Sequence, residues 1–208
     1  MGDDLHSAYL VWIVQMRVAR EEITMLHAPR FVIAAVLVLS APAAVVAGTA
    51  EHHHAEAARA SALLHDAAGN LVGMLTLHGA TDGHLMVRGD LSGLTPGEHG
   101  FHIHEKGVCE APFTSAGGHF NPAGRQHGRD NPQGRHAGDL SNIAVGPDGT
   151  AKVHQMLQGV SIAGEGGLPA VLDADGAAFI VHADPDDNRS DPAGNAGPRV
   201  ACGVITPR

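Results

Sequence analysis

From residue 61 onward the apolar runs are short, and nearly every one is closed by a turn signal. SALLHD is followed by AAGN, VGMLTLHG by ATDG, and HLMVRGDLSGL by TPGEHG. FHIHE comes next. Then NIAV precedes GPDG, TAKVHQM precedes a glycine-rich stretch, AAFIVH precedes a long polar loop, and VACGVI closes the chain. Runs of this length bounded by Gly, Pro, Asn and Asp read as strands, and none carries the period of an amphipathic helix. The 27 Gly and 12 Pro point the same way, because both residue types weaken helix interiors. The expectation is an all-β domain of eight short antiparallel strands, a sandwich or barrel. Two connections stand out by length, Lys106–Ser141 and Ala183–Pro198. Long loops in a compact domain usually carry function.

The first part of the chain reads differently. FVIAAVLVLSAPAAVVA, residues 31–47, follows Arg17, Arg20 and Arg30 and ends in small residues, the layout of a secretory signal peptide. The alternative, a membrane anchor, would need about 20 apolar residues, and Pro42 interrupts this run. No Cys lies near the cleavage region, so lipid attachment at a new terminal Cys is excluded, and translation could begin at Met16 or Met25. The expected organisation is a signal region over 1–47, a His-rich mobile arm over 48–60 and one domain over 61–208. Export would place the mature protein in the periplasm or outside the cell, with no stable membrane span. It would also remove Tyr9 and Trp12, the only Tyr and Trp, leaving Val, Ile, Leu, Ala, Met and four Phe to build the core. The net charge is −9, and the part from Glu51 keeps 10 basic against 18 acidic residues, so nucleic acid is not an expected partner. Two Cys in an exported protein, Cys109 and Cys202, most economically form one disulfide; the alternative is two buried free thiols.

The chain holds 16 His, more than its 13 Lys and Arg together, which points to metal. His102 and His104 flank Ile103, and on a strand residues i and i+2 project from one face. The loop that follows supplies His119, His127, His136 and Asp139, and AAFIVH ends on His182. Three imidazoles and a carboxylate suit zinc. A nitrogen-rich set with little carboxylate suits copper. Six His and one Asp make seven donors where two four-coordinate sites need eight, so one imidazole would have to serve both metals. His52, His53 and His54 in the arm read as a solvated tail, with weak metal capture as the alternative.

GFHIHE, SAGGHFNP, RHAGDLSNI, FIVHADPDD and GNAGPRVACGVI, in this order, resemble the copper/zinc superoxide dismutases in their exported bacterial form. The resemblance runs from about Ser61 to Ile205 and implies an eight-stranded Greek-key barrel, related to the immunoglobulin-like sandwiches. It implies one copper per subunit held by His102, His104, His119 and His182. It implies one zinc held by His119, His127, His136 and Asp139, with His119 bridging the two. Asp186 matches the carboxylate that links His102 to His127, and Arg199 matches the arginine that docks the superoxide anion. Cys109 and Cys202 match the family's intrasubunit disulfide. The implied activity is dismutation of superoxide to oxygen and hydrogen peroxide, with His119 releasing copper and carrying a proton. The alternative is a copper- or zinc-buffering module in the same fold. A zinc hydrolase built on HxH fits less well, since only Glu105 follows as a base. Cys109 stands six residues before Ser115, farther than in the animal enzymes, which implies an altered loop path. The steering lysine of those enzymes has no evident counterpart between His182 and Arg199; Lys106, Arg125 and Arg129 are the candidates for that role.

Overall fold

The computed structural model describes residues 59–79 and 83–208. The signal region over 1–47 and the arm as far as residue 58 lie outside the described residues. Each of the eight expected runs contains a strand: β1 (Arg59–Asp66), β2 (Leu71–Gly79), β3 (His84–Leu91), β5 (Phe101–His104), β6 (Ile143–Val145), β7 (Ala151–Gln158), β8 (Ala178–His182) and β9 (Arg199–Val204). Two more are too short to show a period, β4 (Gly97–His99) and β10 (Thr206–Pro207). β4 falls where TPGEHG reads as a turn, and it pairs with β6 through Gly97–Val145 and His99–Ile143. β1 also takes in Arg59 and Ala60, the last two residues assigned to the arm, because Ala60 is fully buried opposite Leu77 and Pro207. Among the described residues there is no α-helix, only two 3-10 turns.

All pairings between strands are antiparallel, and the main sheet runs β5-β8-β9-β1-β2-β3-β7. β1, β2 and β3 follow one another as a meander; β7 then returns beside β3, and β9 returns beside β1. These crossovers are the Greek-key signature. The curled sheet encloses one core that includes Leu64, Leu75, Leu85, Ile103, Val153, Leu157 and Phe179, with Ile143 and Val145 of the β4–β6 ribbon packed into it. Inward positions alternate along β2 with one slip: Leu75 and Leu77 point in, but so does Val72. The register explains it, because Leu64 pairs with Gly73 and His65 with Leu71, so Val72 is an extra residue in a bulge.

β5 and β8 are buried on both faces. Phe101 and Ile103 of β5 enter the core, and Phe101 stacks on Phe179 at 5.3 Å between ring centres. On the other face of β8, Ala178 and Ile180 pack under Phe113 and Ala116 of the long loop and against Cys202. Cys109 and Cys202 form a disulfide that closes a separation of 93 residues.

Candidate metal centre

β5 lies at one end of the main sheet, so one edge of its backbone is left without a strand partner. Such an edge offers a row of unpaired N–H and C=O groups. Here the Lys106–Ser141 loop fills it. Ile103 N–H donates to Gly138 O at 3.0 Å, Phe120 N–H donates to Ile103 O at 2.8 Å, and Glu105 N–H donates to Gly118 O at 2.9 Å. These bonds set His119 opposite His104 and Asp139 opposite His102. His182 arrives from β8, the strand hydrogen-bonded to the other edge of β5.

Among the described residues, four buried ring nitrogens have no hydrogen-bond partner: His102 Nδ1, His104 Nε2, His119 Nε2 and His182 Nε2. One ligand atom from each of these residues lies within 4.8 Å of those of the others. The second nitrogen of each ring is occupied. His102 Nε2 meets Asp186 Oδ2 at 2.7 Å, His104 Nδ1 meets Gly117 O at 3.0 Å, and His182 Nδ1 meets Gly197 O at 3.1 Å. His119 Nδ1 meets Asp139 Oδ1 at 2.8 Å. Carbonyls and carboxylates only accept, so those nitrogens are the N–H donors and the orphaned ones carry lone pairs. Burial favours the neutral rings: it pulls His102 down to about 3 and His182 to about 4, with His104 also well below the ordinary imidazole range. Each unpaired buried polar atom costs about 1–3 kcal/mol. Four of them converging on one point fit a nitrogen-loving metal ion such as copper.

The second group lies on the other side of His119. His119 Nδ1, His127 Nδ1 and His136 Nδ1 come within 2.8, 3.1 and 3.3 Å of Asp139 Oδ1. The other oxygen, Oδ2, accepts the backbone N–H of Gly128 and of His136, both at 3.0 Å. Burial works against ionising Asp139, but the hydrogen bonds from these three rings outweigh it and hold the carboxyl well below its usual range. Burial likewise opposes charging His127, yet Asp139 and Asp186 together raise it to about 9. Three nitrogens and one oxygen crowded around one point in a buried pocket fit zinc.

Asp186 joins the two groups. Its Oδ2 receives His102 Nε2, and its Oδ1 receives His127 Nε2 at 3.0 Å and the Asn188 N–H at 2.7 Å. Asn142 grips the backbone of Asp186 at both ends, accepting its N–H and donating to its carbonyl, each at 2.9 Å. Arg199, half-buried at the start of β9, donates to Phe113 O and Gly117 O, both at 2.6 Å. Its charge helps depress both His104 and His182. Of the three basic residues considered for steering, Arg129 is engaged with the Ser141 hydroxyl, and Lys106 and Arg125 are exposed.

Several contributors escape a reading of the sequence. Asn142 looks like the first residue of a strand. His99 looks like part of a turn, yet its ring spans from His182 O to Thr95 O at 2.7 Å each. Asp191 accepts the His127 N–H at 2.6 Å. Gly194, at φ +63°, has no room for a side chain: a Cβ there would overlap Asp186 Oδ1 and sit 2.7 Å from His127 Nε2. Gly194→Ala should therefore displace Asp186 and weaken zinc binding by about 10–100-fold, as loss of a group that orients a ligand does. Competition with a zinc chelator measures it, and unchanged affinity would mean the loop absorbs the methyl.

The sequence model of the family described as copper/zinc superoxide dismutase matches residues 71–205. A protein of Caulobacter vibrioides named superoxide dismutase [Cu-Zn] is 47% identical over 150 residues, 70% of this chain and 84% of that one. Superoxide dismutase [Cu-Zn] 2 of Aquifex aeolicus is 43% identical over 149 residues, 71% of this chain and 86% of that one. The crystal structure of a SOD-like protein from Bacillus subtilis is similar at a TM-score of 0.66 with 40% identity, covering 69% of this chain and 96% of that one.

Proposed function

Because the chain belongs to the copper/zinc superoxide dismutase family, we propose that it converts two superoxide anions and two protons to oxygen and hydrogen peroxide. Copper would be held by His102, His104, His119 and His182, and zinc by His119, His127, His136 and Asp139. The observation that carries this reading is the set of four buried imidazole nitrogens without a partner, one of them on the ring whose other nitrogen faces Asp139. When bound, copper would supply the one-electron redox chemistry, and zinc would add a fixed positive charge that does not change oxidation state.

The protein's own part is orientation, charge and a proton. Asp186 holds the rings of His102 and His127 at a fixed tilt, which raises ligand basicity on both sides at once. His119 Nε2 is the nitrogen able to take up a proton and pass it to the reduced substrate, because its Nδ1 stays committed to the Asp139 group. Arg199 meets the anion. The net charge of −9 repels superoxide on average, so a fixed local cation has to overcome that field. Two backbone carbonyls hold the guanidinium in place, and one of them, Gly117 O, also orients His104.

The apolar run at 31–47 and the disulfide support export to an oxidising compartment. Among the described residues no helix is long and apolar enough to cross a membrane.

Stopped-flow decay of superoxide, read beside metal content, tests the proposal. The reconstituted protein should accelerate decay, and Arg199→Ala should lower the second-order rate by at least about 10-fold, the low end of what electrostatic focusing supplies. Copper should remain bound in that variant, and Arg199→Lys should recover part of the rate. A protein that holds both metals yet leaves decay at its spontaneous rate is a metal store, and the proposal fails.

A further inference from the structure

The core of this domain contains no methionine, although methionine ordinarily serves as a core gap-filler. Among the described residues there are three, Met74, Met86 and Met156, and all lie on the outer face of the β2-β3-β7 part of the sheet. Met74 is 44% exposed and Met156 is 49% exposed. Two of the three share one cross-strand row. His78 of β2 pairs with Met86 of β3, and Met86 pairs with Met156 of β7. Directly opposed residues on one sheet face have Cβ atoms about 4.5–5.5 Å apart, within reach of long side chains. His154 stands on the same face two residues before Met156.

The geometry points to a second, surface metal site on this face, formed by the thioethers of Met86 and Met156 with the imidazole of His78, and selective for cuprous ion. Thioether sulfur is a soft, neutral donor that favours Cu(I), whereas hard divalent ions require carboxylates. The row has none to offer. Its next member is Arg59, opposite His78, and the row beside it carries Arg88 opposite His154. Among the described residues, the carboxylate on this face of β2, β3 and β7, Asp90, is engaged with Lys152 at 3.1 Å. A monovalent soft ion suits neutral donors flanked by cations far better than zinc or calcium does.

This site is independent of the buried centre, whose candidate ligands are nitrogen and oxygen only. Both cysteines are tied up in the disulfide, so thioethers are the only other sulfur present. The test uses the copper- and zinc-loaded protein, kept anaerobic with ascorbate, which leaves the disulfide intact. Cu(I) is titrated against a chromogenic Cu(I) chelator, and X-ray absorption reports the donors of the added ion. One further equivalent should bind with sulfur scattering, and Ag(I) should shift the ε-methyl resonances of Met86 and Met156. The double substitution Met86→Leu and Met156→Leu, nearly isosteric on an exposed face, should abolish the sulfur signal and weaken binding at least 10-fold. Met74→Leu should change neither, since Met74 lies four residues along β2 from His78, about 13 Å away. An added equivalent bound through nitrogen alone, sulfur scattering that persists in the double variant, or no added equivalent overturns the assignment.

Discussion

His119→Ala should remove superoxide dismutation and loosen both metals, whereas His104→Ala should strip copper and leave zinc in place. The asymmetry follows from where the two rings stand. His104 commits Nδ1 to the carbonyl of Gly117 and presents Nε2 to the first group of four rings alone. The His119 ring sits between the groups, with its centre 4.0 Å from that of His102 and 5.3 Å from that of His136. Its loss takes one donor of four from each group and leaves Asp139 with two imidazole partners. Removing a group that merely orients a ligand costs about 10–100-fold in metal affinity, so deleting the ligand itself should exceed that for both ions. Metal analysis after dialysis against a chelator, with superoxide decay on the same samples, reads the effect. Activity should fall to the spontaneous rate for both variants, but only His119→Ala should lose zinc as well. Equal zinc retention in the two would mean that His119 serves a single ion.

How much of this site is legible in the sequence depends on the range of the interaction that builds it. His102 and His104 are legible because the period of a strand is local: FHIH sends Phe101 and Ile103 into the core and both imidazoles to the opposite face. The meeting of His119 with His104 is not local. It arises because the free edge of β5 hydrogen-bonds to Gly118, Phe120 and Gly138, and nothing in SAGGHFNP announces which strand edge will receive it; only resemblance to a family supplies that pairing. Asn142 and Gly194 are harder still. One acts through the backbone of Asp186, the other by the side chain it lacks, and neither residue type carries a chemistry to search for. The same holds for the fold. Eight strands announce themselves by apolar runs, but β4 is held by its pairing with β6, and the slip at Val72 is visible only in the register against β1.

Breaking the disulfide with Cys109→Ser should destabilise the metal-free protein and slow the enzyme, two effects with one structural origin. The bond closes a separation of 93 residues, and the chain-entropy account of cross-links puts that at about 4–5 kcal/mol as an upper bound. Urea unfolding of the metal-free chain measures it. Cys202→Ser and the double variant should match the single one, because each removes the same cross-link. The kinetic effect comes from what lies between the cysteines and Arg199. Cys202 follows Arg199 by three residues on β9, while Cys109 opens the loop segment whose Phe113 and Gly117 carbonyls hold the guanidinium. Once that segment is released from β9, the arginine loses its fixed position and His104 loses a fixed partner for Nδ1. The rate of superoxide decay should then drop while copper stays bound, the same signature as Arg199→Ala. A variant that loses stability but keeps its full rate would show that Phe113 and Ala116, packed on Ala178 and Ile180, hold the loop unaided.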